Sequence, residues 1–148
     1  MQKLIWLYAA FFYLLGTQFA IAAPATDDKP FAEQKIVLQI SDPDPFKQTL
    51  VLNVASNLIK HYGQDKVDVE IVAFGPGLRL LFKDNANSPR IDGLSGSGVR
   101  FAACENTIAG MTKQLGHAPE LHSSATHVSA GVVRIIDLQG QGYKLIKP

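Results

Sequence analysis

From residue 35 onward, the sequence alternates between strand-like and helix-like segments that are joined by short connections. The strand-like segments are short and rich in β-branched and other apolar residues: 35–40, 67–74, 99–104, 125–128 and 143–146. Single helices between successive strands imply right-handed crossovers, which make the strands parallel and lay the helices over the sheet. We therefore predict one α/β domain in which helices cover both faces of a parallel sheet.

The first predicted helix has the clearest boundaries. Asp44 is a typical N-cap residue, and Pro45 suits the first helical position. Gly63 is placed to end the helix. The predicted inner face has apolar residues at every fourth position: Phe46, Leu50, Val54 and Leu58. Three more apolar residues widen this stripe: Val51, Ala55 and Ile59. We predict that this stripe faces the sheet.

The later helices carry weaker signals. A short helix is expected at 78–82, and another runs from about residue 106 until Gly116 ends it. The segment 90–96 is a poor helix candidate, because its two glycines lower the helix propensity. The last helix opens at Gly131, and three apolar residues are expected to face inward: Val132, Ile135 and Ile136.

The first 22 residues have the features of a signal peptide. Lys3 gives a positive start, residues 4–15 are apolar, and Ala20-Ile21-Ala22 supplies the small residues that signal peptidase reads. Cleavage after Ala22 would leave residues 23–34 as a flexible leader before a domain at 35–148. The alternative is an uncleaved membrane anchor, because the apolar segment is nearly long enough to span a bilayer. We predict cleavage, a periplasmic location and no stable membrane insertion afterwards.

The charge of the predicted mature chain excludes some classes of partner. The full sequence has 14 basic and 13 acidic residues. Cleavage removes one basic residue, Lys3, and no acidic residue, so 13 of each remain. A neutral chain has no polybasic field, which argues against nucleic acid or an anionic membrane as the main partner. Its single cysteine also excludes a disulfide scaffold.

That cysteine, Cys104, lies where a predicted strand meets a predicted helix. The carboxyl ends of parallel strands meet at one edge of the sheet, where helix N-termini also point. We therefore expect four segments to converge there: 42–44, 75–77, 104–107 and 129–131. A helix start near Asn106 would favour the thiolate of Cys104, whereas Glu105 would oppose it if its carboxylate turned toward the sulfur. Simple packing of a small apolar side chain is the alternative.

Three other patterns are weaker. Gly75-Pro76-Gly77 precedes a helix and either presents N–H groups to an anion or forms a plain tight turn. It lacks the Lys-Ser/Thr pair of a P-loop. Ser123 and Ser124 adjoin a histidine but have no identifiable acid partner for a catalytic triad. The spacing of three histidines fits neither a helix face nor alternate strand positions, so we predict no metal site: His117, His122 and His127.

Several of these segments together resemble the DsrE/DsrF-like family, over residue 35 to the C-terminus. The resemblance rests on the strand 35–40, the acidic turn 41–45, the strand 69–74 with its Gly-Pro-Gly turn, and especially Val99-Arg-Phe-Ala-Ala-Cys-Glu-Asn-Thr107. It is greatest for an uncharacterised single-subunit branch of the family. It implies a three-layer α/β/α sandwich with a five-stranded parallel sheet, assembled into trimers or hexamers. The characterised relays of the family are cytoplasmic, whereas this chain has an export signal.

The resemblance also implies a function for Cys104. In characterised members a strand-end cysteine carries persulfide sulfur, so this chain is expected to be a sulfur carrier or sulfurtransferase without a cofactor. A donor or acceptor protein, or a small sulfur compound, would be its partner. We expect five residues to stabilise the thiolate or line its pocket: Asn106, Thr107, Asp42, Gly75 and Gly77. Two alternatives remain open, a non-catalytic oligomeric binding module and a thiol redox sensor.

Overall fold

The computed structural model of the protein describes residues 29–148. The predicted signal peptide, and residues 23–28 of the predicted leader, lie outside the described residues. In chain order the elements are β1 (Gln34–Ile40), α1 (Pro45–Tyr62), β2 (Val67–Ala73), a 3₁₀ helix (Gly75–Leu81), α2 (Ser88–Gly96), β3 (Arg100–Cys104), α3 (Glu105–Leu115), β4 (Ala125–Val128), α4 (Gly131–Gly140) and β5 (Lys144–Ile146). No helix within residues 29–148 is long and apolar enough to cross a membrane.

The five strands form one parallel sheet in the order β4-β3-β2-β1-β5. The first three crossovers advance in one direction from β1 to β4, and the crossover through α4 returns to the far side of β1. Right-handed crossovers in opposite directions place their helices on opposite faces of the sheet. The predicted three-layer α/β/α architecture with a five-stranded parallel sheet is therefore confirmed.

The two faces of the sheet bury different sets of strand residues. Val69 and Ile71 of β2 pack toward α1 and α2 in the larger core. Val72 of the same strand packs on the opposite face with Ile135 and Leu138 of α4. Since successive strand residues point to opposite faces, β2 must be buried on both, and every residue of β2 is. Along β3 the same alternation turns Cys104 toward the face that α4 covers.

Burial of β2 includes two acidic side chains. Asp68 and Glu70 are 0% and 2% exposed. Arg134 of α4 donates two hydrogen bonds of 2.7 Å to the Glu70 carboxylate, and Arg100 donates to Glu70 at 3.0 Å and to Asp68 at 2.6 Å. The Tyr143 hydroxyl also binds Asp68. Two buried carboxylates and two partly buried guanidinium groups thus balance within one network.

Two predicted helix faces were wrong in part. Phe46 is 86% exposed and Leu50 44% exposed, whereas Val51 and Ala55 are buried as predicted, together with Gln48 and Leu52. An α-helix has 3.6 residues per turn, so a stripe with a spacing of four drifts around the helix and leaves the sheet. In α4, Ile135 and Leu138 are buried, whereas Val132 and Ile136 are more than half exposed.

The segment 88–96 is helical despite its two glycines. Pro89 occupies the first turn of α2, where proline is favoured, and Ile91 and Leu94 are buried in the main core. Burial of these two side chains outweighs the low helix propensity of Gly93 and Gly96, which tertiary packing commonly does.

Candidate functional site

Cys104 lies between the N-termini of two helices. It is the last residue of β3 and the N-cap of α3. Its register partner on β4 is Val128, and α4 begins shortly afterwards at Gly131. Because β3 and β4 are adjacent and parallel, both helix starts reach the same edge of the sheet. Helix N-termini carry partial positive charge, so both favour an anion at the sulfur.

The surroundings of the sulfur have opposing effects on its pKa. Burial raises the pKa of the Cys104 thiol, because the charged form loses water. Hydrogen bonding from the Thr107 hydroxyl and from the N–H groups of Gly131, Thr107 and Asn106 lowers it. The result is a pKa below the ordinary value of 9.0.

The Thr107 hydroxyl links the ends of two strands. The Gly75 N–H, directly after β2, donates to Thr107 Oγ1 at 2.8 Å. Gly75 has a φ of +53°, a conformation that glycine adopts without strain. The Gly75 N–H is thus already bonded within the protein rather than free for an external anion. We call Cys104, Thr107, Gly75 and Gly131 together the thiol site.

Gly131 belongs to the thiol site because it allows close packing as well as supplying an N–H. A Cβ atom at this position would lie 3.0 Å from both Cβ and Cδ1 of Phe74. The absence of a side chain therefore lets the start of α4 approach the end of β2. Sequence reasoning placed 129–131 at the correct edge but did not identify Gly131 as a residue of the site. Its position after a strand that neighbours β3 is the signal that could have identified it.

Two other predicted residues lie away from the sulfur. Asp42 follows β1, and β2 separates β1 from β3, so the two strands are about 10 Å apart. Its carboxylate accepts from the Asp44 N–H at 3.0 Å and from Lys47 at 2.9 Å, and both bonds lower the pKa of Asp42. Gly77 packs against the backbone of Ile40 and Ser41.

Asn106 and Glu105 contribute to the edge of the site. The Asn106 side chain is exposed, and its N–H points toward Ser129 O at 3.4 Å. The Glu105 carboxylate lies 3.7 Å from Nδ1 of His127 on β4, and both side chains are more than half exposed. Glu105 therefore has a partner on the neighbouring strand.

Cys104 itself is only 5% exposed. A buried thiol with a lowered pKa suits chemistry with a small reagent better than with a bulky one. Within residues 29–148, no group of three or more His, Cys, Asp or Glu side chains is arranged to hold a metal ion. His122 is buried, with Nε2 3.3 Å from Asp92, and Nδ1 accepts from the Ser124 N–H at 3.1 Å.

Several solved protein chains resemble this protein. MTH1491 from Methanobacterium thermoautotrophicum, a protein of unknown function, matches with a TM-score of 0.70 at 30% sequence identity, over 78% of this chain and 100% of MTH1491. YchN from E. coli matches with a TM-score of 0.59 at 13% identity, over 78% of this chain and 99% of YchN. No protein-family model and no curated protein matches the sequence. The two structures establish a DsrE/YchN-like fold.

Proposed function

We propose that this chain, which belongs to the same family as MTH1491, is a DsrE/DsrF-like sulfur carrier or sulfurtransferase in which Cys104 bears the sulfur. The supporting observation is the position of the thiol between two helix N-termini, which together with the Thr107 hydroxyl hold its pKa below the ordinary value. The thiolate is the nucleophilic form of cysteine, so a lowered pKa increases the reactive fraction near neutral pH. The same donors would stabilise a persulfide anion.

The proposed loading step transfers one sulfur atom from an inorganic polysulfide. The Cys104 thiolate attacks the terminal sulfur, and a new S–S bond forms at Cys104. The attacked S–S bond breaks, and the shortened polysulfide leaves with its electron pair. Charge and sulfur balance without an external oxidant or a proton. An acceptor thiolate then attacks the outer sulfur of the persulfide. That sulfur moves to the acceptor, and Cys104 leaves as the thiolate.

The loading step predicts a mass change that depends on the sulfur atom of Cys104. Incubation of the purified protein with polysulfide is expected to add one sulfur atom to the wild type and none to Cys104→Ser, because a serine hydroxyl does not carry sulfane sulfur. Intact-mass spectrometry before and after reduction measures the addition, and reduction should remove it. Equal addition to both proteins, or addition to neither, contradicts the proposal.

We also propose that the protein is exported to the periplasm and acts there as a homo-oligomer, a trimer or hexamer, with a sulfur compound or a donor or acceptor protein as partner. Export is supported by the apolar run 4–15 and the small residues before Ala23. Assembly is supported by exposed apolar side chains on α4, where Val132, Val133 and Ile136 are 57%, 47% and 61% exposed. Exposed apolar patches of this kind commonly mark protein contacts.

Export predicts a defined N-terminus. When the full chain is expressed in a bacterium, N-terminal sequencing of the protein from the periplasmic fraction is expected to begin at Ala23. Signal peptidase requires small residues at the cleavage site, so Ala22→Asp should block processing and leave the precursor in the membrane fraction. Recovery of wild-type protein in the membrane with residues 1–22 attached would support the anchor instead.

One observation favours a second candidate, a non-catalytic binding module in which Cys104 only packs. That observation is the 5% exposure of the side chain. In this case a small alkylating reagent modifies the native protein only when it unfolds, so a stabilising osmolyte should slow the modification. A carrier's thiol reacts from the folded state, and its alkylation rate should be independent of such stabilisation.

A further inference from the structure

The Thr107 hydroxyl has its hydrogen-bonding directions fixed by the backbone. A hydroxyl group has one proton to donate and lone pairs that accept. Its oxygen accepts the Gly75 N–H at 2.8 Å, and that donor is held by the turn that follows β2. Because one lone pair of the oxygen accepts the Gly75 N–H, the hydroxyl proton points away from Gly75.

A comparison within α3 indicates which group that proton can reach. Thr112 donates its hydroxyl to the Ile108 carbonyl, four residues earlier, at 2.8 Å, as threonines inside helices commonly do. Thr107 is in the first turn of the helix, and the residue four before it, Ala103, belongs to β3. The helical carbonyl available to Thr112 is therefore not available to Thr107. The side chain three residues earlier, on the same side of the helix, is Cys104.

We propose that Thr107 is a positioning residue for the Cys104 thiolate, with the Gly75 N–H holding the hydroxyl so that its proton points to the sulfur. The proposal rests on the proposed function only in treating the thiolate as the working form. The N–H groups of Asn106 and Thr107 also favour the thiolate, but only the hydroxyl is held in place by Gly75. The proposal also explains why Gly75, which does not reach the sulfur, belongs to the thiol site.

The proposal predicts a shift in the deprotonation of the only cysteine. The thiolate absorbs in the ultraviolet, so absorbance against pH, minus that of the same variant with Cys104→Ser, reports the Cys104 midpoint. The wild-type midpoint is expected below 9.0. In Thr107→Val, which keeps the shape of the side chain and loses the hydroxyl, it should rise by about one to two pH units. Thr107→Ser keeps the hydroxyl and should restore the wild-type midpoint.

Thr112→Val is the matched control, because it makes the same change in the same helix at a hydroxyl bonded to a carbonyl instead of the sulfur. It should leave the midpoint unchanged. If Thr107→Val does not fold, Thr107→Ala provides the same test. An unchanged midpoint without the hydroxyl, or an equal shift in Thr107→Ser, overturns the proposal.

The titration also separates this proposal from the sulfur-carrier function. A midpoint shift in Thr107→Val with no polysulfide loading of the wild type supports the positioning role and refutes sulfur transfer. Loading of the wild type with no shift in Thr107→Val supports sulfur transfer and refutes the positioning role.

Discussion

Replacement of Glu70 by glutamine is expected to lower the free energy of unfolding by about 3–5 kcal/mol. The change keeps the size of the side chain and removes the charge that faces Arg100 and Arg134. Neither arginine can relieve the imbalance by losing a proton. Burial opposes the charge on Arg100, but Asp68, Tyr143 and Glu70 together outweigh burial and raise the pKa of Arg100. The variant therefore retains an uncompensated positive charge beside the sheet.

Glu33→Gln is the matched control for this prediction. Glu33 also pairs with a basic residue, Lys66, at 2.8 Å, but both side chains are about 60% exposed. Water screens such pairs and solvates the remaining lysine, so the same chemical change should cost far less. Denaturant unfolding of both variants measures the difference. Equal losses would show that the Glu70 network contributes no more than a surface ion pair.

Gly77→Ala is expected to destabilise the protein by about 3 kcal/mol or more. A Cβ atom at this position would lie 2.5 Å from the Ile40 carbonyl oxygen and 2.7 Å from Ser41 Cα. These are backbone atoms at the end of β1, so no change of rotamer can make room. Accommodation requires the 3₁₀ helix or the end of the strand to move, which disturbs the sheet on which the core is built.

Gly93→Ala provides the control for Gly77→Ala, because it makes the same substitution where no atom outside the adjoining residues and the nearby helix backbone lies within 4 Å of the new Cβ. Gly93 is inside α2, where alanine has the higher helix propensity, so a gain of about 0.5–1 kcal/mol is expected. Thermal or denaturant unfolding compares the two variants. A loss of similar size at both positions would mean that the close approach at Gly77 does not limit the side chain there.

The parts of the fold that sequence reasoning predicted correctly depend on short-range signals. The five strands are compact apolar runs, and Asp44 accepts the Phe46 N–H at 2.8 Å as the N-cap of α1. Gly116 ends α3 in the left-handed conformation, as its position suggested. The start of α3 after Cys104 also follows from local sequence. Each of these features is determined by residues that are close together in the sequence.

The parts that were missed depend on residues distant in the chain. The burial of Glu70 requires Arg100 and Arg134, which come from β3 and α4. The distance of Asp42 from the thiol follows from strand order, because β2 lies between β1 and β3. No local pattern encodes either fact. The exposure of Phe46 was predictable in principle, since a four-residue repeat does not match the helical period.

The thiol site includes the first residue of α4, so the site is incomplete in a chain whose C-terminal part has not yet folded. Cys104 and α3 come before Gly131 in the chain, so a nascent or unfolded polypeptide carries the cysteine without the second helix N-terminus beside it. In such a chain the sulfur lacks the Gly131 N–H, which is one of the groups that lower the pKa of the thiol in the folded protein. Because the native pKa is below the unfolded value, deprotonation favours the native state as pH rises between the two values. Folding of α4 therefore completes the surroundings that make the sulfur acidic.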